Sequence, residues 1–169
     1  MQRTETVELT VLCLTHQKDE YLLQNRLKDD WNGLTLPGEP IEKNGSVIDA
    51  VKREMKEKTG LDIQNPRFCG IKQFPIENGR YIVFLFHTDK FLGEVTSSEE
   101  GEMVWVKESE RSKRNTVEDL SPLRQVMRDD NLTEFQYVIK NGKWKRMPSV
   151  PNFLKECAER LPNTTNFSA

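Results

Sequence analysis

One capped helix constrains this chain more than any other feature, because it is set among runs that read as strands. Between Leu36 and Ile63 the sequence is LPGEPIEKNGSVIDAVKREMKEKTGLDI. Ser46 is a good N-cap, and Asp49 three residues later completes a capping-box pattern. Val47, Ile48, Val51 and Met55 recur at helical spacing and form one apolar stripe. Gly60 supplies the left-handed residue that ends a helix. The other face carries Asp49, Lys52, Arg53, Glu54, Lys56, Glu57 and Lys58. Taken alone, such a face is a solvated one laced with Glu–Lys pairs.

The flanks supply the sheet that the stripe must cover. Val7 to Thr15 is β-branched and largely apolar and reads as a central strand. A turn at His16 to Asp19 leads to a second strand, Glu20 to Leu27, and a short third runs from Leu34 to Leu36. Gly38 to Gly45 is a loop before the helix. Pro66 to Phe74 and Arg80 to His87 are strands joined through Asn78-Gly79, both tolerant of positive φ. Gly93 to Thr96 is a short edge strand, Ser97 to Glu102 an acidic loop, and Met103 to Val106 a strand. A second helix spans about Val117 to Met127, with Leu120, Leu123 and Met127 on one face. Phe135 to Met147 forms a hairpin around Asn141-Gly142, and Phe153 to Leu161 a short amphipathic helix. The order predicts an α/β fold, a mixed β-sheet flanked by helices in an α/β/α sandwich.

Length and composition narrow the function classes. The 169 residues suit one domain, 1–161, whose C-terminal hairpin and helix (135–161) form an extension, with 162–169 a flexible polar tail. Charged residues make up 31% but nearly cancel, to a net charge of -2, so no nucleic-acid partner is expected. Cys13, Cys69 and Cys157 have no close spacing, which excludes a disulfide framework or a zinc site. Cys13 and Cys69 lie in apolar runs and read as buried thiols. No apolar stretch is long enough to span a membrane, and no signal-peptide core precedes the first strand. A cytoplasmic location is the expectation.

The helix and its approach resemble the Nudix box, G-x5-E-x7-R-E-U-x-E-E-x-G-U with U aliphatic. Arg53, Glu54, Met55, Glu57, Gly60 and Leu61 match, as do the preceding Leu36-Pro37-Gly38, the later Arg80-Tyr81-Ile82-Val83 run and the acidic loop before the Met103 strand. The likeness covers roughly the first four-fifths of the chain and looks nearest to the MutT-like branch of Gram-positive bacteria, which includes 8-oxo-dGTP diphosphatases. It implies a metal-dependent pyrophosphohydrolase of nucleoside di- and triphosphates, oxidised dGTP among them, yielding a nucleoside monophosphate and pyrophosphate.

Such a reaction needs Mg²⁺ or Mn²⁺ to neutralise phosphoryl oxygens and activate water. Hard cations take oxygen ligands. Glu54 and Glu57, three apart, share a helix face, and Arg53 can orient a carboxylate through a bidentate pair. A backbone carbonyl of Gly38 is a further candidate ligand. By resemblance the remaining carboxylate comes from the acidic loop, where Glu99, Glu100 or Glu102 can serve as ligand or general base. The site set is thus Arg53, Glu54, Glu57, Glu100 and Glu102 for catalysis, with Gly38, Glu54, Glu57 and Glu102 for metal.

Three positions depart from the pattern. A glycine of the box falls on Glu39, its first glutamate on Gly45, and the second of its paired glutamates on Lys58. Lys58 puts a cation where an anion should hold the metal; like unit charges about 4 Å apart repel by about 4 kcal/mol at an intermediate dielectric. Lys58 can also pair with Glu54 at i, i+4 and draw it from metal. Two readings follow. One is a working diphosphohydrolase in which Glu39, Glu42 or the acidic loop replaces the missing carboxylates. The other is a Nudix fold that binds a nucleotide or a protein partner without turnover.

Several residues carry a ligand reading and a plain one. Trp31 and Asn32 contact base or sugar, or are a packed Trp and a turn Asn. Asn115 can read a purine edge beside Asp119, or Asn115 or Thr116 caps the second helix. Arg80 meets phosphate, or is an exposed strand-end residue. Lys140, Lys143, Lys145 and Arg146 with Trp144 form a basic-aromatic hairpin that contacts RNA or is simply a solvated surface. Oligomeric state is open.

Overall fold

The computed structural model describes residues 4–26 and 32–147. Trp31, Cys157, the helix expected at Phe153–Leu161 and the tail from Pro162 lie outside the described residues. Eleven strands and two α-helices occur among those described: β1 (Thr6–Gln17), β2 (Glu20–Arg26), β3 (Gly33–Thr35), β4 (Gly38–Pro40), α1 (Val47–Thr59), β5 (Asp62–Ile63), β6 (Arg67–Ile76), β7 (Gly79–Thr88), β8 (Phe91–Leu92), β9 (Gly101–Lys107), α2 (Leu120–Arg128), β10 (Glu134–Lys140) and β11 (Lys143–Met147).

β1 is the spine. It runs parallel to β7 from Thr6 opposite Gly79 to Thr15 opposite Thr88. β7 pairs antiparallel with β6, β6 parallel with β10, and β10 antiparallel with β11. The other edge of β1 divides. Its end pairs with β2 only at His16 and Gln17, while Thr10 to Leu12 pair with β4. β2 then carries β3 on one side and β9 on the other. The sheet therefore opens into a V between two leaves.

Strand alternation sends the two faces of β1 to two cores. Val11 and Cys13 join Phe86, Leu22 and the α1 residues Ala50, Val51 and Met55. Leu14 joins Leu85, Val83, Tyr21 and the α2 residues Leu120, Leu123 and Met127. One helix covers each face, which is the expected α/β/α sandwich on a mixed sheet. Cys13 and Cys69 are buried free thiols, as expected.

Local details correct the sequence reading. The Gly38 loop contains β4. The edge strand lies at Phe91–Leu92, paired with β5, rather than at Gly93 to Thr96. The two turn residues between β6 and β7 are Glu77 and Asn78; Gly79 already pairs with Ile76. A Cβ on Gly79 would lie 2.0 Å from the Thr6 carbonyl, so that glycine serves close strand approach. α2 begins at Leu120, not Val117. An earlier start would put Pro122 in the helix interior, whereas its missing N–H is harmless in the first turn. A 3-10 helix at Glu108–Lys113, unforeseen in the sequence, precedes it.

Candidate functional site

The N-terminal part of α1 forms as its sequence dictates. The Ser46 hydroxyl accepts the Asp49 N–H at 3.3 Å, and Gly60 ends the helix at φ 75° while its N–H bonds the Lys56 carbonyl. Gly45 closes a turn onto the Glu42 carbonyl at 2.8 Å after Asn44 at φ 63°. The position where the box has its first glutamate is thus used for a tight turn. The faces of α1 differ from expectation. Ile48 is 42% exposed, whereas Glu54 and Lys58, read as solvated, are only 7% and 6% exposed.

Two hollows meet at Lys58. The first is a cavity of about 390 Å³ in the V of the sheet. Thr10 and Leu12 of β1, Gln24 and Arg26 of β2, Thr35 of β3 and Gly38 of β4 line it, with Lys72 and Phe74 of β6 and Tyr81 and Val83 of β7. Phe74 stacks on Tyr81, with ring centroids 4.8 Å apart and planes at 15°. Thr10 Oγ1 donates to Tyr81 Oη at 2.6 Å and fixes the phenol. Lys72 bonds Asp119, which also accepts the Tyr137 hydroxyl at 2.8 Å. That contact and burial hold the Tyr137 phenol well above its ordinary pKa, burial being the larger cause.

The second hollow, about 610 Å³ and more open, is bordered by Glu39, Glu42, Glu54, Glu57, Glu99 and Glu100, against Arg53 and Lys58. Arg53 reaches Glu54 at 3.3 Å and Glu42 at 3.4 Å. Burial raises the Glu54 pKa; the Arg53 hydrogen bond lowers it by less, and Glu39 and Glu57 add to the rise. Lys58 does not pair with Glu54. Its ammonium donates instead to Glu39 and Glu100. Burial, the largest single cause, favours the neutral amine, but the hydrogen bonds to Glu100 and Glu39 and the charges of both carboxylates together outweigh it and hold the pKa above the ordinary lysine value. The i, i+4 geometry loses because two carboxylates from distant segments offer more than one.

The divalent cation implied by the resemblance does not fit these residues as they stand. Among the described residues no three His, Cys, Asp or Glu side chains gather as a metal-binding group. Glu39 and Glu100 already hold an ammonium, and Glu54 is engaged by Arg53.

The other sequence-predicted residues are spread more widely. Gly38 lines the cavity, and a Cβ there would lie 2.0 Å from the Val11 carbonyl. Glu57 borders the open hollow; Glu102 is exposed on β9, opposite Asn25, and borders neither. Arg80 pairs with Glu5 at 2.9 Å and Gln73 at 2.7 Å, away from both hollows. Asn32 and Asn115 are exposed, and the Asn115 carbonyl accepts the Leu34 N–H at 2.9 Å. Neither Asn115 nor Thr116 caps α2; Asp119 stands at the N-cap with its side chain turned to Lys72. Thr10, Lys72, Phe74 and Tyr81 were missed. The sequence signals at most Lys72 and Phe74, two apart on one face of β6; Tyr81 and Thr10 come from β7 and β1.

A family description, NUDIX domain, matches residues 6–133. The uncharacterized Nudix hydrolase YvcI of Bacillus subtilis (strain 168) is 32% identical over 129 residues, 73% of this chain and 75% of that protein. Among solved structures, the MutT protein of Bacillus halodurans superposes with a TM-score of 0.68 at 24% identity, covering 82% of this chain and 97% of that one. The NUDIX domain of Shewanella oneidensis NrtR, complexed with ADP ribose, gives 0.58 at 14% identity, covering 74% and 87%. These two likenesses concern the fold.

Proposed function

We propose, since the chain belongs to the Nudix family, that it binds a nucleoside di- or triphosphate in the sheet cavity and that its hydrolytic step is impaired. The observation that carries this is the cavity itself. Its volume falls within the roughly 300–1,000 Å³ usual for small-ligand sites, and it joins an aromatic pair to basic side chains. The base lies against Phe74 and Tyr81, and the phosphates point toward Lys58 and the Gly38 strand. Stacking on such faces is tolerant of base identity, and polar groups such as Gln24 and Thr35 supply orientation. The B. subtilis relative is described as a Nudix hydrolase, which favours turnover, and the NrtR domain's complex with ADP ribose supports a nucleotide-like ligand. We place the protein in the cytoplasm; no helix among the described residues is long and apolar enough to cross a membrane.

The second reading keeps turnover: a Mg²⁺- or Mn²⁺-dependent diphosphohydrolase, with oxidised dGTP among its substrates, releasing a nucleoside monophosphate and pyrophosphate. One observation favours it. Glu42, Glu54, Glu57 and Glu99 still border one hollow beside Arg53.

Calorimetric titration with guanine and adenine nucleotides, 8-oxo-dGTP and ADP ribose, paired with phosphate-release assays, separates the two. Binding tighter than about 1 mM that is lost in Tyr81→Ala supports the first reading. No binding by any nucleotide, or binding indifferent to that substitution, refutes it. Turnover at ordinary enzyme rates, about 1 s⁻¹ or faster, with Mg²⁺ or Mn²⁺ establishes the second, and Glu57→Gln then abolishes it.

A further inference from the structure

We infer that the Lys58 ammonium takes the place of a divalent cation in this chain, so that the carboxylates around it hold an internal cation and refuse Mg²⁺ and Mn²⁺. The inference concerns cation selectivity and stands whether or not a nucleotide binds in the cavity.

Lys58 lies in the last turn of α1, and its side chain is almost wholly buried. Its ammonium sits on the partition between the two hollows, since Lys58, Glu39 and Glu100 border both. There it donates to Glu39 of β4 and to Glu100 of the loop before β9. These partners are 19 and 42 residues away in sequence. Three separate segments are therefore joined through one positive centre. A hard divalent cation bound by carboxylates from the same segments would make the same cross-link through oxygen ligands.

The two cations exclude one another. An ammonium only donates, and here its donors claim the carboxylate oxygens that a metal would need. A divalent ion beside it would also be repelled twice as strongly as a monovalent one. Nor is displacement easy. Lys58 would have to leave two charge-assisted hydrogen bonds together and carry a buried stem into water. Among the neighbouring carboxylates at the open hollow, Arg53 engages Glu54 and Glu42. A surface ion pair chosen for solubility does not describe a lysine this buried with two partners from distant segments.

The experiment uses the full chain without nucleotide. Mn²⁺ is titrated, free Mn²⁺ is followed by electron paramagnetic resonance, and thermal melts are compared in EDTA and in millimolar Mg²⁺. The native chain is expected to take up no Mn²⁺ below about 1 mM and to melt at the same temperature in both media. Lys58→Glu, folded by circular dichroism, is expected to bind one Mn²⁺ at least about tenfold more tightly and to melt higher with metal. Lys58→Gln removes the ammonium from Glu39 and Glu100 without adding charge. It is expected to fall between the two, and it decides the matter alone if Lys58→Glu does not fold. Stoichiometric Mn²⁺ uptake by the native chain, abolished by Glu54→Gln or Glu57→Gln, overturns the inference. So do folded Lys58 variants that bind Mn²⁺ no better than the native chain.

Discussion

Acid should weaken this fold through His87 well before its carboxylates protonate fully. The His87 ring lies half-buried on β7, 4.6 Å from the His16 ring, and its Nε2 has no hydrogen-bond partner among the described residues. Burial pushes its pKa down to about 4; His16 and Arg67 add to the fall, Asp89 opposes it, and Arg128 lowers it further. The sign follows from proton counting. Below about pH 6.5 the unfolded chain protonates this histidine, while the folded chain holds it neutral until about pH 4. The unfolded state thus binds more protons across that window. The stabilising difference is complete above pH 6.5 and is lost as the pH falls toward 4. Taken whole, the gap is worth about 3 kcal/mol. Partial solvation screens it, leaving about 1–2 kcal/mol. Urea denaturation midpoints at intervals from pH 7.5 to 4, for the native chain and for His87→Leu, isolate this contribution because carboxylate titration is common to both. The native chain should lose about 1–2 kcal/mol more than the variant over that range. Parallel pH curves for the two proteins refute the reasoning.

Two further substitutions probe the frame around the site. Gly38→Ala should destabilise by about 3 kcal/mol or prevent folding, since its Cβ would meet the Val11 carbonyl at 2.0 Å and relief requires parting β4 from β1; a denaturation midpoint within about 0.5 kcal/mol of native would contradict this. Arg124, 5% exposed, donates two hydrogen bonds to Glu108 and lies with its guanidinium 3.9 Å from the Tyr21 ring centroid. Its hydrogen bond is the main cause holding the Glu108 pKa at about 2. Arg124→Met should raise that pKa toward the ordinary carboxylate range, read by carbon NMR titration, with Arg111 and Tyr21 still lowering it, and cost about 1–3 kcal/mol at neutral pH.

What the sequence made legible was local. Ser46 and Gly60 mark the ends of α1 because capping depends on bonds to neighbours a few residues away. The Asn141-Gly142 hairpin is equally self-contained, with both turn residues at positive φ. The pattern around Arg53, Glu54 and Glu57 identified the family because its spacing survives even where single members change. The cavity was not legible. Phe74 and Tyr81 share a wall only because β6 and β7 pair in one register, and that wall faces a space made by β2 leaving β1. Lys58 failed for the same reason. Helix spacing nominates Glu54 as its partner, and nothing local reveals that β4 and the loop before β9 bring Glu39 and Glu100 to the end of α1.

The same contact bears on how an ammonium at residue 58 differs chemically from a divalent cation there. A divalent cation in such a position does two things: it holds the surrounding segments together, and it lowers the pKa of bound water enough to generate a nucleophile. An ammonium does only the first. It carries half the charge, has no acceptor or open coordination position, and offers a water molecule at most one remaining donor hydrogen once Glu39 and Glu100 have taken two. A donor hydrogen stabilises negative oxygen, which suits a bound phosphate, but it does not turn water into hydroxide. Of the other carboxylates at the open hollow, Glu42 and Glu54 are engaged by Arg53, while Glu57 and Glu99 also border it. Glu54, the most buried of them, has its pKa raised mainly by desolvation, which improves it as a proton acceptor. On the proposed reading, the ammonium at residue 58 preserves the cross-link between α1, β4 and the loop before β9 but supplies no Lewis acid for an attacking water.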